Sequence, residues 1–90
     1  MTEAEFRRLL ADEGYGEPAR VAWEANLVND SHAHDFDARI LVIEGRITVD
    51  CDGDAVTCGP GDSRALAAGT PHVETIGPQG VTFLAGRRTP

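Results

Sequence analysis

Clusters of turn-forming residues divide the second half of the chain into short segments. Glycine, proline and aspartate recur in four clusters: Asp52-Gly53, Gly59-Pro60-Gly61-Asp62, Gly69-Thr70-Pro71 and Gly77-Pro78-Gln79-Gly80. The segments between them are too short for stable helices, and Ile47, Val49 and Cys51 alternate with polar neighbours as a strand requires. Many short strands separated by turns are typical of a β-sandwich or β-barrel. The chain is therefore predicted to be all-β over most of its length.

Two further patterns predict strands outside these clusters. Val21, Trp23, Ala25 and Leu27 alternate with more polar residues, which predicts one strand over this stretch. The continuous apolar segment 40–43 predicts a buried strand, followed by Gly45 and a separate alternating strand. Segments 72–76 and 81–85 are predicted as the last two strands, separated by the turn cluster at 77–80.

The N-terminus has a helical pattern instead. Thr2 and Glu5 have the spacing of a capping box, and Phe6, Leu9 and Leu10 form an apolar stripe, so residues 3–13 are predicted to be a short helix. Residues 1–18 form this helix and a connector, and residues 19–90 form the β-barrel. With 90 residues in all, the chain makes one domain.

The charge of the chain argues against nucleic acid as a partner. The net charge is −7, and the eight basic residues, all arginine, form no basic face that would bind a polyanion. No apolar run approaches the roughly 20 residues that span a bilayer, so no membrane association is expected. The N-terminus also lacks the long apolar core of a secretory signal.

The two cysteines are predicted to be free thiols. A two-residue turn at Asp52-Gly53 would place Cys51 opposite Asp54 and Cys58 opposite Ile47. The two sulfurs would then be too far apart for a disulfide. Free thiols favour a reducing compartment, and we expect a cytoplasmic location.

All three histidines of the chain fall in one pattern. His32 and His34 are two residues apart, so in an extended strand both side chains point to the same face. His72 opens another predicted strand and is the only other histidine. Two imidazoles on one face and a third from another strand are typical of a metal site, and we expect His32, His34 and His72 to bind one divalent ion.

The spacing of these residues resembles the cupin superfamily, from about residue 26 to residue 76. His32, His34 and Gly45 match the first cupin motif, and Gly61, Gly69 and His72 match the second. The stretch His-Ala-His-Asp-Phe-Asp-Ala-Arg looks like small bacterial single-domain cupins. The resemblance implies an all-β, jelly-roll type cupin barrel after the short N-terminal helix.

The chain departs from the cupin pattern at four positions: Asn26, Ala38, Ala67 and Ile76. Ala38 stands where the family has a glutamate ligand, and an alanine cannot coordinate, so the resemblance implies a three-histidine variant. Glu74 lies two residues from His72, hence on the same face, where it is a candidate catalytic base, a fourth ligand or a partner of the ligands. Asp35 and Asp37 are alternative candidates for a carboxylate that assists the metal. Arg39 is expected to point away from the barrel, and the alternative is an inward Arg39 that binds a carboxylate substrate if the register shifts by one residue.

Three imidazoles suit Fe, Zn, Ni, Mn or Cu, and affinity alone does not choose among them. The site would suit a non-haem metal-dependent oxygenase or isomerase acting on a small organic molecule. The alternative is a non-enzymatic, sensor-like cupin module that binds metal or a small molecule, and the residues leave open whether the chain is an enzyme. Because open edge strands need covering, a homodimer is also expected.

Overall fold

The computed structural model describes residues 1–90 and confirms an all-β chain with one N-terminal helix. No helix in it is long and apolar enough to cross a membrane. Helix α1 is followed by six strands, all antiparallel to their neighbours. Their bounds are α1 Glu3–Asp12, β1 Ala19–Trp23, β2 Val28–His32, β3 Asp37–Cys51, β4 Asp54–Cys58, β5 Ser63–Leu66 and β6 His72–Arg88.

The long strands β3 and β6 pair with each other and carry all the other strands. Residues 37–45 of β3 and 81–88 of β6 pair in the middle of a first sheet, whose order is β5-β3-β6-β1. Residues 47–51 of β3 and 73–76 of β6 pair in the middle of a second sheet, whose order is β4-β3-β6-β2. The two long strands therefore belong to both halves of a jelly-roll fold.

The predicted breaks in these two strands are wrong, because both strands continue through their glycines. Gly45 pairs with Val81 and Ile47 pairs with Ile76, so Arg46 alone faces residues 77–80 of β6. This excursion is a large bulge, which bends a strand without ending it. The turn residues at 77–80 therefore interrupt the pairing register, and the antiparallel ladder resumes beyond them.

Two register shifts change which residues face the interior. In β3, Ile43 is an extra residue between the pairs Val42–Phe83 and Glu44–Thr82, so Ile40 and Val42 pack in the main core before it and Ile47 and Val49 do after it. The inward parity thus switches from even to odd numbers. In β6 the switch lies within residues 77–80, since Val81 and Phe83 pack in the core on one side of this segment and Ile76 on the other. A strict period of two holds only within each half.

The first strand is shorter than its alternation predicts. β1 ends at Trp23, and the predicted extension through Ala25 and Leu27 is wrong. Asn26 has a φ of 62°, in the left-handed region that asparagine tolerates better than most residues. The Leu27 N–H donates to the Glu24 carbonyl at 3.3 Å, which closes a turn before β2 begins. Local turn chemistry here prevails over the apolar alternation.

Helix α1 covers the outer face of the first sheet. The capping box is present, with Glu5 N–H donating to the Thr2 hydroxyl and Thr2 N–H donating to the Glu5 carboxylate. Phe6 and Leu10 are fully buried against Leu41 and Leu84. This small second core fixes the helix on that face of the sheet.

The hairpin between β3 and β4 has the predicted register. Cys51 pairs with Asp54 and Cys58 pairs with Ile47, and both cysteines are free. Burial raises the pKa of the Cys58 thiol, and the nearby Asp62 raises it further. Cys58 is therefore a packed core thiol and not a reactive one.

Arg88 connects three separate parts of the chain near the end of β6. Its Nε and Nη2 donate to the Asp37 Oδ2 at 3.2 and 3.0 Å, and its Nη1 donates to the Glu13 carbonyl at 2.7 Å. Asp37 also accepts from the Ala68 N–H at 2.9 Å. The start of β3, the end of α1 and the turn before β6 are thereby joined.

The close approach of Gly45 to Gly80 at the bend predicts that Gly45→Ala strongly lowers the stability of the fold. At a φ of +75°, an added Cβ would lie 1.9 Å from the Gly80 carbonyl oxygen. Gly53→Ala is the matched control, because its φ is +89° and no atom lies within 4 Å of an added Cβ. We expect G53A to lower the free energy of unfolding by about 1–2 kcal/mol, and G45A by at least about 3 kcal/mol, measured by urea denaturation. Equal losses would contradict this account of the bend.

The Asp37–Arg88 contact predicts a pH-dependent contribution to stability. Hydrogen bonds from the Ala68 N–H and then from Arg88 hold the pKa of Asp37 below its usual value. A lowered pKa in the folded state stabilises the protein above the unfolded value, near pH 4, and this contribution disappears as pH falls through the folded value. Asp37→Asn should therefore lower the urea midpoint at pH 7, and the difference from the parent should shrink below about pH 4. Asp54→Asn, at the exposed hairpin tip, should show no such trend.

Candidate metal centre

The three histidines converge at one end of the second sheet. His32 ends β2, His34 follows it by two residues, and His72 begins β6. Their ring centroids are 4.9 Å apart for His32 and His34, 4.3 Å for His32 and His72, and 5.2 Å for His34 and His72. One nitrogen from each ring lies within 4.8 Å of the other two. The predicted grouping of these side chains is present in the fold.

The strand register explains this convergence. β2 pairs with β6, and within that ladder His32 lies directly opposite His72. A register irregularity between Asn29 and His32 changes the direction of the end of β2. His34 follows two residues after the strand, and its ring centroid lies 4.9 Å from that of His32.

Backbone hydrogen bonds fix the tautomers of two imidazoles. The His32 Nδ1 lies 2.7 Å from the Asp30 carbonyl oxygen, and the His72 Nδ1 lies 2.9 Å from the Thr70 carbonyl oxygen. A carbonyl oxygen only accepts, so in both rings Nδ1 carries the hydrogen. In the neutral rings Nε2 therefore keeps its lone pair. This is the arrangement by which proteins orient metal-ligating histidines.

The remaining ring, that of His34, is held by stacking. It lies 4.7 Å from the Phe36 ring at an interplanar angle of 15°. The Arg87 guanidinium carbon lies 4.5 Å from the centroid of the same phenyl ring. Partial burial lowers the pKa of His34, and the neighbouring His32 and His72 lower it further. A lowered pKa keeps this imidazole neutral, as a metal ligand must be.

Glu74 faces the same group of nitrogens. Its Oε1 lies 3.5 Å from the His32 Nε2, and its Oε2 lies 4.0 Å from the His72 Nε2. The Asn29 Nδ2 donates to Oε1 at 3.3 Å. Only 13% of the Glu74 side chain is exposed. The predicted inward orientation of Glu74 is therefore correct.

The other candidate residues lie outside this group. Ala38 lines the cavity with a methyl group, at the position where a ligand is expected in the family. Asp37 is engaged by Arg88 and the Ala68 N–H, and Asp35 is exposed and does not line the cavity. Arg39 donates to Glu13 of the connector after α1 at 3.0 Å, on the outside of the fold as expected.

A cavity of about 470 Å³ opens beside the imidazoles, between the two sheets. Its volume is in the range of small-molecule sites. Trp23, Ile40 and Phe83 form apolar walls, and Arg64 and Arg87 also line it. Sequence reasoning did not identify these two arginines. Arg64 alternates with the cavity-lining Leu66, and this period of two was a usable signal for its inward orientation.

The donor set fits a transition-metal ion. Three neutral imidazoles and a nearby carboxylate are the ligands that Zn, Fe, Ni, Mn and Cu take in proteins. Two of the imidazoles are already fixed by their Nδ1–H bonds to carbonyl oxygens. The residues present therefore suit such an ion.

Comparison with known families shows which family the chain belongs to. The family model described as "Cupin domain" matches residues 19–84 of the chain. No curated protein matches the sequence. The family match covers all six strands up to Leu84, including the three histidines.

Several solved structures share this fold at low identity. A protein of unknown function from Rhizobium leguminosarum bv. viciae 3841 has a TM-score of 0.73 and 19% identity, with 100% of this chain and 95% of that chain covered. An RmlC-like cupin from Shewanella frigidimarina NCIMB 400 has a TM-score of 0.69 and 21% identity, over 82% of this chain and 68% of that chain. KdgF from Halomonas sp. has a TM-score of 0.64 and 21% identity, over 76% of this chain, which spans only 64% of that protein. At these identities the likeness concerns the fold alone.

Proposed function

The chain belongs to the cupin domain family, and we propose that it binds one divalent metal ion through His32, His34 and His72 and acts on a small organic anion held beside that ion. The observation that carries the proposal is the orientation of the imidazoles. Two of them donate Nδ1–H to backbone carbonyl oxygens, so their Nε2 lone pairs are free to bind the ion. The third ring is close enough to share it.

A bound ion would supply a positive centre that polarises an oxygen of the ligand and, if it is iron, redox chemistry. The protein's own residues supply the rest of the site. Trp23, Ile40 and Phe83 would pack against the apolar part of the ligand and exclude water. Glu74, beside the imidazoles, would hold or accept a proton from the ligand when the reaction requires one.

Two arginines line the cavity together with Asp30 and Glu74, and they support an anionic ligand because neither arginine forms an ion pair. Arg64 is half-buried, and its Nη1 donates to the Val49 carbonyl at 2.8 Å while its Nη2 lies 3.4 Å from the Cys51 sulfur. Arg87 lies over Phe36. Neither arginine is in an ion pair with a carboxylate, in a chain with 15 acidic residues. A carboxylate of the ligand would supply the ion-pair partner that these guanidinium groups lack.

Within this proposal the reaction is an oxygenation or an isomerisation of a small organic acid. Oxygen uptake by the iron-loaded protein, and product analysis without oxygen for the zinc- or manganese-loaded protein, separate the two. Tight binding without turnover in either assay would favour the sensor-like module. The cytoplasmic location and the homodimer stay predictions, which the free thiols and the unpaired edges of the outer strands favour.

Metal content tests the proposed site directly. Protein purified without a metal-affinity tag should contain about one transition-metal ion per chain by elemental analysis, or bind one after chelation and titration with Zn²⁺. His34→Ala should weaken Zn²⁺ binding by about 100-fold or more, because removing a ligand costs more than removing one of its partners.

Asp35→Asn is the control for this measurement. It removes an exposed carboxylate next to His34 that does not line the cavity, so its metal content should equal that of the parent. Unfolding curves of the metal-free forms verify that both variants fold. A parent protein that binds no metal by either route would refute the proposal.

The anionic ligand gives a second test, by calorimetry on the metal-loaded protein. Small 2-oxo and aromatic carboxylates should bind at least about tenfold more tightly than their neutral amides, since a hydrogen bond to a charged group contributes about 1.5–3 kcal/mol. Arg64→Leu should remove most of this preference, and Arg20→Leu, an exposed arginine outside the cavity, should leave it unchanged. Amides that bind as well as acids would contradict an anion site.

A further inference from the structure

We propose that Glu74 is a fourth protein ligand of the metal ion, in place of the carboxylate that is missing at Ala38. The inference rests on the proposed metal-binding function, specifies its ligand set, and assigns Glu74 to the ion in place of the proton-accepting role given there. It moves the carboxylate from β3 in the first sheet to β6 in the second sheet, two residues after His72.

The first argument is the orientation of atoms that would otherwise repel each other. Because Nδ1 of His32 and of His72 carries the hydrogen, the Nε2 atoms carry lone pairs. These lone pairs lie 3.5 and 4.0 Å from the two oxygens of Glu74. Lone pairs and a carboxylate gathered at one place repel each other unless a proton or a metal ion lies among them.

The second argument is distance. The separations of 3.5 and 4.0 Å between nitrogen and oxygen are too long for good hydrogen bonds, whose usual range is about 2.7–3.2 Å. Two ligand atoms that are each about 2.1 Å from one ion at tetrahedral angles lie about 3.4 Å apart. The spacing of Glu74 from His32 therefore suits a shared ion better than a shared proton.

The third argument is what else contacts Glu74. Its carboxylate forms no ion pair with an arginine, and its only charged or chargeable contacts are the two histidines. Asn29, its partner in the β2·β6 register, donates to Oε1 at 3.3 Å. An amide that orients a mostly buried carboxylate is the kind of partner that ligating carboxylates have.

The relocation also determines which side of the ion is free of protein donors. Ala38 and Leu66 line the cavity from the first sheet and offer no side-chain donor atom. The three histidines and Glu74 all come from β2, its extension and β6. A ligand would therefore approach from the side of β3 and β5, where Arg64 lies.

Glu74→Gln tests the proposal with a nearly isosteric side chain that loses the charge. Chelator-treated parent and variant would be titrated with Co²⁺, followed by its visible spectrum, and with Zn²⁺ by competition. We expect E74Q to bind both ions about 100-fold more weakly or worse, and the Co²⁺ spectrum to change its band positions and intensity. The matched control is Glu24→Gln, the same chemical change at an exposed carboxylate that does not line the cavity.

A merely structural role for Glu74 would give a different result. It would lower the urea midpoint of the metal-free variant and leave unchanged the increase in midpoint that saturating Zn²⁺ produces. We expect the opposite: a metal-free E74Q at least as stable as the parent at pH 8, and a smaller increase on adding Zn²⁺. If E74Q does not fold, Glu74→Asp keeps the charge, shortens the reach and should still weaken Zn²⁺ binding and alter the Co²⁺ spectrum.

The outcomes separate this inference from the proposed function. A parent protein that binds neither ion refutes the metal site itself. A parent that binds, with E74Q binding within about threefold and giving the same Co²⁺ spectrum, leaves the three-histidine site standing and refutes Glu74 as a ligand.

Discussion

The antiparallel pairing of β3 with β6, and its bend where Gly45 meets Gly80, is the constraint on which the rest of the structure depends. Every other strand pairs with one of these two. At the bend, the space beside the Gly80 carbonyl admits no side chain at residue 45. The inward parity changes close to the bend, at the extra residue Ile43 in β3 and within residues 77–80 of β6. This change lets the same two strands line a single interior from both sheets, with Ala38 on one side and His72 on the other.

Two imidazoles of the site are oriented by backbone carbonyl groups at the strand ends that take no part in strand pairing. Each of two histidines donates to the carbonyl oxygen of the residue two positions earlier, so the same local geometry at the end of β2 and the start of β6 fixes both rings. Their side-chain freedom is thus reduced before any ligand arrives. An ion that binds the folded form alone stabilises it by about 2.7 kcal/mol at 100 times its dissociation constant, so metal binding and folding would reinforce each other.

The parts of the fold and site that follow from the sequence are those governed by a short period or by one turn. The helix cap, the β3–β4 hairpin register, the inward Glu74 and the outward Arg39 all depend on neighbours within a few residues. The continuity of β3 and β6 could not be predicted, because glycine is a usual sign of a strand end and only the distant partner strand shows that it marks a bend. Asn26 was misassigned for the converse reason: its left-handed turn ends β1 although the apolar alternation continues. Arg64 was overlooked because its role depends on the opposite sheet, where it donates to the Val49 carbonyl.

The exchange of a carboxylate on β3 for one on β6 has consequences for the whole cavity. A ligand set drawn from the second sheet alone leaves the first sheet free to bind the organic molecule, and that sheet contributes the apolar walls and both unpaired arginines. The methyl group of Ala38 then provides room near the ion that a longer side chain would fill. The only carboxylate among the imidazoles is Glu74, and the Arg64 guanidinium is held in the cavity by the Val49 carbonyl of β3. An anion that reaches the ion from the side of β3 would meet both Arg64 and the metal, so a single geometry accounts for the missing glutamate and for the unpaired arginines.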